Sequence, residues 1–300
     1  MRPERARENL QRGPIELPFK RVALVANTGW NIVRFRIDLI RTLADYGCRV
    51  SVIADFDVKQ EAQLRRLGVE PITIKMDAAG HNPIRDLAYL GRLTQALRRT
   101  RPELVHLYTT KPFIYGGLAA RLLGVPGIVG SFTGAGILRS ERKTWLKPIL
   151  RQLIRLALTE RSLTIFQNPE DLAAFVADGL TEPSRATCVA GSGVDTTLLT
   201  PNFETPPAQR TCFVMASRML WSKGVADFVS AARLVKEHHP DVSFVLFGGS
   251  REEYGSKNPD FIERDWLENL NRGNVVEWRA WTEPAEVEAA MRTAAAVVLP

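Results

Sequence analysis

Between residues 21 and 299 the chain alternates short apolar runs with longer amphipathic stretches. That alternation restricts it to parallel strands joined by helical crossovers. The first run, Arg21 to Ala26, precedes a helical pattern that lasts through Ala44. Strands are then predicted at 48–54, 71–75, 104–107, 127–130, 163–166 and 186–189, with helices between them at about 58–67, 83–99, 112–123, 141–158 and 169–178. Residues 196–210 hold three prolines and read as a linker. The alternation then restarts, with strands at 211–217, 242–247, 274–280 and 294–299 and helices at about 224–238, 260–270 and 283–293. Strands this short and apolar are covered on both faces. The expected architecture is therefore α/β, with two doubly wound parallel-sheet domains facing a cleft. Residues 1–17 form a tail, 18–195 the first domain and 211–300 the second. The sequence stops on Ala294 to Pro300, a core-strand pattern, so the second domain is expected to be incomplete.

Composition removes several classes. With 45% hydrophobic and 24% charged residues, the 300-residue chain has material for sizeable cores and is neither disordered nor fibrous. No apolar run approaches the roughly 18 residues of a membrane-spanning helix. The basic start, residues 1–14, lacks the apolar core of a secretory signal. Cys48, Cys188 and Cys212 are scattered and form no C-x-x-C pair, which argues against a disulfide framework or a zinc site and fits a reducing cytoplasm. Charge is uneven: residues 1–200 hold 29 Lys and Arg against 19 Asp and Glu, whereas residues 201–300 hold 11 against 14. A basic half suggests an anionic surface or ligand. Nucleic acid is the generic reading of a pI near 9.5, but no helix-turn-helix, zinc-finger or RNP-like motif supports it, so no nucleic-acid partner is expected.

Ligands of open α/β sheets sit at the carboxyl ends of strands, so the loops there are where chemistry is expected. Ser217 to Gly224 follows a strand and opens a helix. Arg218 and Lys223 can converge beside the helix's unpaired N–H groups as a diphosphate cradle, or form a solvated basic loop. Gly248 and Gly249 end the next strand, where paired glycines allow a close backbone approach or make a plain turn. Residues 26–30, Ala-Asn-Thr-Gly-Trp, resemble a dinucleotide-binding first turn but lack G-x-G-x-x-G, which counts against a dehydrogenase. His106 lies at the end of the fourth strand, as a catalytic candidate or a structural histidine. Gly130 to Gly136 is a glycine-rich loop in which Thr133 could bond a sugar or phosphate. His238 and His239 close a helix and serve its dipole or solvent. Residues 139–161 carry seven basic side chains and two acids. Lys143, Lys147, Arg151 and Arg155 recur every four residues along one helical face beside Trp145. That pattern reads as a membrane-surface element, or as a helix packed on the sheet with its charges in water. Asp55 and Asp57 form a D-x-D without acidic company, better read as a surface loop than a metal site.

Together these segments resemble the family-four glycosyltransferases of the GT-B fold. The likeness rests on Ser217-Arg-x-x-x-x-Lys-Gly224, Gly191-Ser-Gly-Val-Asp-Thr196, Val245-Leu-Phe-Gly-Gly249, Val276-Glu-Trp-Arg-Ala-Trp281 and Ala295-Ala-Val-Val-Leu-Pro300. In the first domain, Asn27-Thr-x-Trp30, Lys111-Pro-x-x-Tyr-Gly-Gly-Leu-Ala-Ala-Arg121, Thr133-Gly134 and Phe166-Gln-Asn-Pro169 are similar to bacterial members that extend undecaprenyl-diphosphate-linked glycans.

The resemblance implies two Rossmann-like domains and a retaining, metal-independent transfer from a UDP-linked sugar. The nucleotide sugar is a co-substrate, and no cofactor or metal is expected. Arg218, Lys223 and Gly224 would hold the donor diphosphate, with Gly248 and Gly249 as a donor loop and Trp281 near the nucleobase or in the core. Gly29, Trp30, Lys111, Thr133 and Gly134 would hold an undecaprenyl-diphosphate-linked acceptor, with His106 as catalytic residue. Lys143, Trp145, Lys147, Arg151 and Arg155 would dock on an anionic membrane, which places the protein in the cytoplasm, peripheral on the inner face of the cell membrane. The family's E-x(7)-E motif would follow Pro300 and has no matching positions here, which implies weak or no activity for these 300 residues. Two alternatives stand beside this reading: a GT-B nucleotide-sugar epimerase, and a non-catalytic fragment that binds membrane or acceptor.

Overall fold

A computed structural model describes residues 16–76, 82–132, 147–194, 196, 211–254 and 258–299. Contacts divide the chain into two units, 1–195 and 196–300. In the first unit, β1 (Arg21–Val25), β2 (Arg49–Ala54), β3 (Glu70–Thr73), β4 (Leu104–Tyr108), β5 (Gly127–Phe132), β6 (Ser162–Phe166) and β7 (Ala186–Cys188) form one sheet in the order β3-β2-β1-β4-β5-β6-β7. Every pairing is parallel. Alternate residues of β1 point to opposite faces, as the period of two requires. Ala23 and Val25 join one core with Leu93, Leu97 and Ala119, while Val22 and Leu24 join another with Ile32, Ile40 and Leu64. A strand buried on both sides explains why β1 reads as a continuous apolar run.

The crossovers are α1 (Gly29–Phe35), α2 (Ile37–Asp45), α3 (Val58–Arg66), α4 (Pro83–Thr100), a π turn (Pro112–Gly116) leading into α5 (Gly117–Leu122), α6 (Lys147–Ala157) and α7 (Pro169–Ala177). Polar caps start several of them. Thr28 accepts from the Asn31 N–H, Asp57 and Gln60 make a reciprocal capping box, and Asn82 and Asn168 cap α4 and α7. Two predicted helices differ from expectation. The first is two helices, kinked at Arg36, although its hydrogen bonds continue on both sides: the Arg36 N–H donates to Ile32 O and the Ile40 N–H to Arg36 O. The fourth begins as a π turn, and within it Gly116 packs so tightly on Leu107 that a Cβ there would collide with it.

The second unit holds β8 (Cys212–Ala216), β9 (Ser243–Phe247), β10 (Glu277–Arg279) and β11 (Ala296–Val297), in the parallel order β10-β9-β8-β11. Its helices are α8 (Val225–His238), α9 (Arg264–Arg272) and α10 (Pro284–Thr293). Phe228, Val229, Leu267 and Leu270 cover one face with Leu246 and Trp278, and Val287, Ala290 and Met291 cover the other against Val214, Val245 and Phe247. His238 and His239 close α8 and are exposed, in keeping with a helix-end role. No described helix is long and apolar enough to cross a membrane.

Candidate functional site

In the first sheet, the crossovers leave in opposite directions at β1 and β4, so the loops after these two strands open a crevice at their carboxyl ends. The register Val25↔Leu107 carries Asn27 and Thr109 out side by side. Thr109 stands at φ 68°, a left-handed conformation that a β-branched residue seldom adopts. Its hydroxyl is buried and unpartnered. So are Asn27 Oδ1, Asn31 Oδ1 and Arg36 Nε, giving this edge four of the seven such atoms among the described residues. Each buried orphan costs about 1–3 kcal/mol, and a concentration of them marks a place that awaits a hydrogen-bonding ligand.

The kink turns Arg36 inward. Its guanidinium lies 4.2 Å above the Tyr108 ring and its Nη1 donates to Ser192 Oγ at 3.0 Å. Burial pulls its pKa down. Tyr108 in turn stacks on His106 at 4.2 Å between ring centroids, and its hydroxyl bonds His106 Nδ1 at 2.8 Å. His106 Nε2 bonds Ser131 Oγ at 2.8 Å.

This network gives His106, expected as a catalytic residue, structural partners on both ring nitrogens. His106 lies inside β4, paired with Leu24 and Val129, not at the strand end. Burial, with the nearby Arg36 cation, lowers its pKa to about 3, and both ring nitrogens are engaged. A neutral, fully bonded imidazole positions its neighbours and has no proton to trade near neutral pH.

Other first-unit candidates also have local roles. Lys111 donates to Asp86 Oδ1 at 2.7 Å, and Tyr115 donates to Asp86 Oδ2 at 3.0 Å, so the Lys111 cation is compensated and fastens α4 to the π turn. Burial and that carboxylate push the Tyr115 pKa up to about 12. Gly29 is buried, and a Cβ on it would collide with Gln60 and Phe56; its need for glycine comes from packing. Trp30 is half exposed and meets Phe35 edge to face at 5.3 Å. Thr133, Gly134, Lys143 and Trp145 lie outside the described residues. Two of the basic side chains expected on one face of α6 have partners within the fold. Arg151 grips Asp178 with both guanidinium arms at 2.8–3.2 Å, and Arg155 donates to the carbonyls of Asp178 and Gly179. Lys147 is half-buried, while Ile149, Gln152 and Leu156 face solvent. Asp55 pairs with Lys75 and Asp57 caps α3, so neither carboxylate of the D-x-D is idle.

In the second unit, α8 starts at Gly224, whose φ of 72° only glycine takes readily. No described side chain caps this start, which leaves its first N–H groups without intrahelical partners. Arg218, just before the one-turn helix Trp221–Lys223, and Lys223, its last residue, are exposed, and neither forms an ion pair among the described residues. Gly248 is required for a different reason than expected: a Cβ there would collide with the Ser217 carbonyl, which joins the β8 and β9 loops. Its own N–H and carbonyl bond Arg279 O and the Trp278 indole N–H. Gly249 opens onto a shelf formed by Tyr254 and Trp281, edge to face at 5.5 Å. Trp281 is 57% exposed, so it belongs to no core. Sequence reasoning missed Arg36, Thr109, Asn31 and Tyr254; only Thr109, beside the Lys111 motif, carried a local signal.

A doubly wound parallel sheet occurring twice, the second with a cationic, uncapped helix start after its first strand, is the architecture of GT-B nucleotide-sugar enzymes. The family described as glycosyl transferase 4-like matches residues 21–168 of the first unit, and the curated relatives of this chain are named as glycosyltransferases. The chain is 23% identical over 272 residues to the Campylobacter jejuni N,N'-diacetylbacillosaminyl-diphospho-undecaprenol alpha-1,3-N-acetylgalactosaminyltransferase, covering 86% of this chain and 71% of that one. It is 26% identical over 176 residues to the Escherichia coli UDP-Gal:alpha-D-GlcNAc-diphosphoundecaprenol alpha-1,3-galactosyltransferase, covering 55% of this chain and 45% of that one. Anabaena HepE, solved in complex with UDP-glucose, superposes with a TM-score of 0.65 at 16% identity over 93% of this chain and 73% of its own. A Listeria monocytogenes protein described as a UDP-N-acetylglucosamine 2-epimerase shares the fold equally well, at TM-score 0.62 and 15% identity over 92% of this chain and 73% of its own.

Proposed function

We propose that the chain moves a sugar from a UDP-sugar to a glycan acceptor carried on undecaprenyl diphosphate, with retention and without a metal. The observation that carries this reading is the uncapped start of α8, which directly follows a loop with two exposed cations, Arg218 and Lys223, that form no ion pair among the described residues. The diphosphate leaving group gains negative charge as the glycosidic bond breaks. Two cations and a ring of N–H groups stabilise that charge where a metal would otherwise be needed. The Tyr254–Trp281 shelf, also at the carboxyl edge of that sheet, suits a stacked nucleobase. The acceptor side is assigned to the orphaned groups of the first unit. The names of both curated relatives, which specify undecaprenol diphosphate, support that acceptor class. We also place the protein in the cytoplasm, peripheral on the inner membrane face, with the solvent side of α6 (Ile149, Leu156) as the contact in place of the basic face first expected.

Incubation with a panel of UDP-sugars and an undecaprenyl-diphosphate-linked glycan tests the reading. Transfer to the lipid-linked glycan is the expected product. Epimerised UDP-sugar formed without acceptor would favour the epimerase alternative. The E-x(7)-E carboxylates have no counterpart in these 300 residues. UDP binding, which needs only the cradle, is therefore measured alongside turnover.

A further inference from the structure

Arg36 is a half-buried cation with no carboxylate partner among the described residues. Its contacts among the described residues are the Phe35 carbonyl, the Ser192 hydroxyl and the face of Tyr108. Carboxylates on neighbouring elements are already committed: Asp38 to Arg41, Asp55 to Lys75, Asp86 to Lys111 and Tyr115. Burying a guanidinium without a counter-ion is costly, and a neutral hydroxyl with an aromatic face offsets only part of that cost. Three further orphans belong to the same strand ends and helix: Asn27 and Thr109 follow β1 and β4, and Asn31 is on the helix that ends at Arg36. A hydroxyl can donate to an anionic oxygen, and an amide offers a donor and an acceptor. The set therefore matches a group that carries anionic oxygens next to sugar hydroxyls. The exposed aromatic pair Trp30 and Phe35 on the same helix offers a surface for an apolar or pyranose face.

We propose that Arg36 recognises the phosphate adjoining the sugar of a diphosphate-linked acceptor, with Asn27, Asn31 and Thr109 holding the hydroxyls around it. This rests on the acceptor class proposed above. The planar guanidinium fork suits bidentate phosphate binding. Ser192 lies in an exposed segment, residues 191–194, so an anion reaches Nη1 by displacing one hydroxyl.

Inorganic pyrophosphate is the probe, titrated into the protein carrying Arg218→Gln and Lys223→Gln so that the second-unit cations do not contribute. Binding is expected to persist, to weaken at least about tenfold on adding Arg36→Gln, and to be partly restored by Arg36→Lys. Unchanged affinity with Arg36→Gln overturns the proposal. Ser192→Ala frees Nη1 without touching the cation, so it serves if Arg36→Gln fails to fold: tighter pyrophosphate binding is expected, and weaker binding overturns the proposal. In transfer assays Arg36→Gln should raise KM for a diphosphate-linked glycan with kcat held, and leave a neutral alkyl glycoside unaffected. A purely structural Arg36 would change both acceptors alike, which also overturns the proposal. Pyrophosphate binding that depends on Arg36, with UDP-sugar epimerised in the absence of acceptor, would sink the function and leave the anion site standing. Transfer that ignores Arg36→Gln would do the reverse.

Discussion

Thr109 combines two costs that folded chains ordinarily avoid, a β-branched residue at φ 68° and a buried hydroxyl with no partner. Thr109→Val keeps the shape and removes the orphan, so it should stabilise the unliganded protein by about 1 kcal/mol, or roughly 2–4 °C in thermal midpoint for a chain of this length. Calorimetry checks this, and a lowered midpoint counts against the hydroxyl being an orphan. His106 makes a claim about pH. Its folded pKa is depressed to about 3 while the unfolded value is about 6.5, so the unfolded chain takes up the proton first as pH falls. Its contribution is complete above pH 6.5 and is lost on acidification, with a slope approaching about 1.4 kcal/mol per pH unit. Urea unfolding at stepped pH should show this component in the native protein and not in His106→Gln. Equal slopes would mean that His106 titrates normally in the fold. Gly248→Ala drives a methyl group into the Ser217 carbonyl and should cost about 2 kcal/mol or more. A neutral effect on urea unfolding would show that the loop gives way.

Among the elements, the strand-and-helix order was legible because the central strands, such as β1, β2 and β9, are apolar runs buried on both faces, with amphipathic stretches between them. Turn chemistry at Asn82-Pro83 and Asn168-Pro169 also marks helix starts that the structure keeps. The kink at Arg36 was not legible, because the hydrogen-bond ladder and the apolar period run through it unbroken. Nor was the fate of the basic face of α6. A four-residue spacing reports which side chains share a face, but not that Asp178 and the carbonyl end of α7 lie against it. This separates two roles on one helix. Ile149→Asp with Leu156→Asp should reduce co-sedimentation with anionic vesicles by about tenfold, since both leave the solvent side apolar. Arg151→Ala should instead lower stability by up to about 1 kcal/mol, the range of a partly exposed ion pair, with little change in vesicle binding. If Arg151→Ala abolished vesicle binding and the aspartate pair did not, the basic face would be restored as the contact.

For the molecule as a whole, the excess of basic residues in the first 200 and the acidic excess in the last 100 suggested an anionic ligand without saying where it binds. The structure offers one candidate in each unit: an orphaned, positively charged crevice at the β1–β4 edge, and an uncapped helix start at Gly224. The second was readable from Arg218, Lys223 and Gly224 because a strand–loop–helix pattern fixes where such residues go. The first was not, since burial without a partner is a property of three-dimensional packing that no motif encodes. The donor reading stands or falls on whether the Gly224 cradle holds a diphosphate. Titration of UDP and of uridine into the native chain and into Arg218→Gln/Lys223→Gln decides this. UDP is expected to bind below about 1 mM, at least tenfold more tightly than uridine, with that preference lost in the variant. Equal affinity for UDP and uridine, or a preference that survives the double substitution, would contradict it.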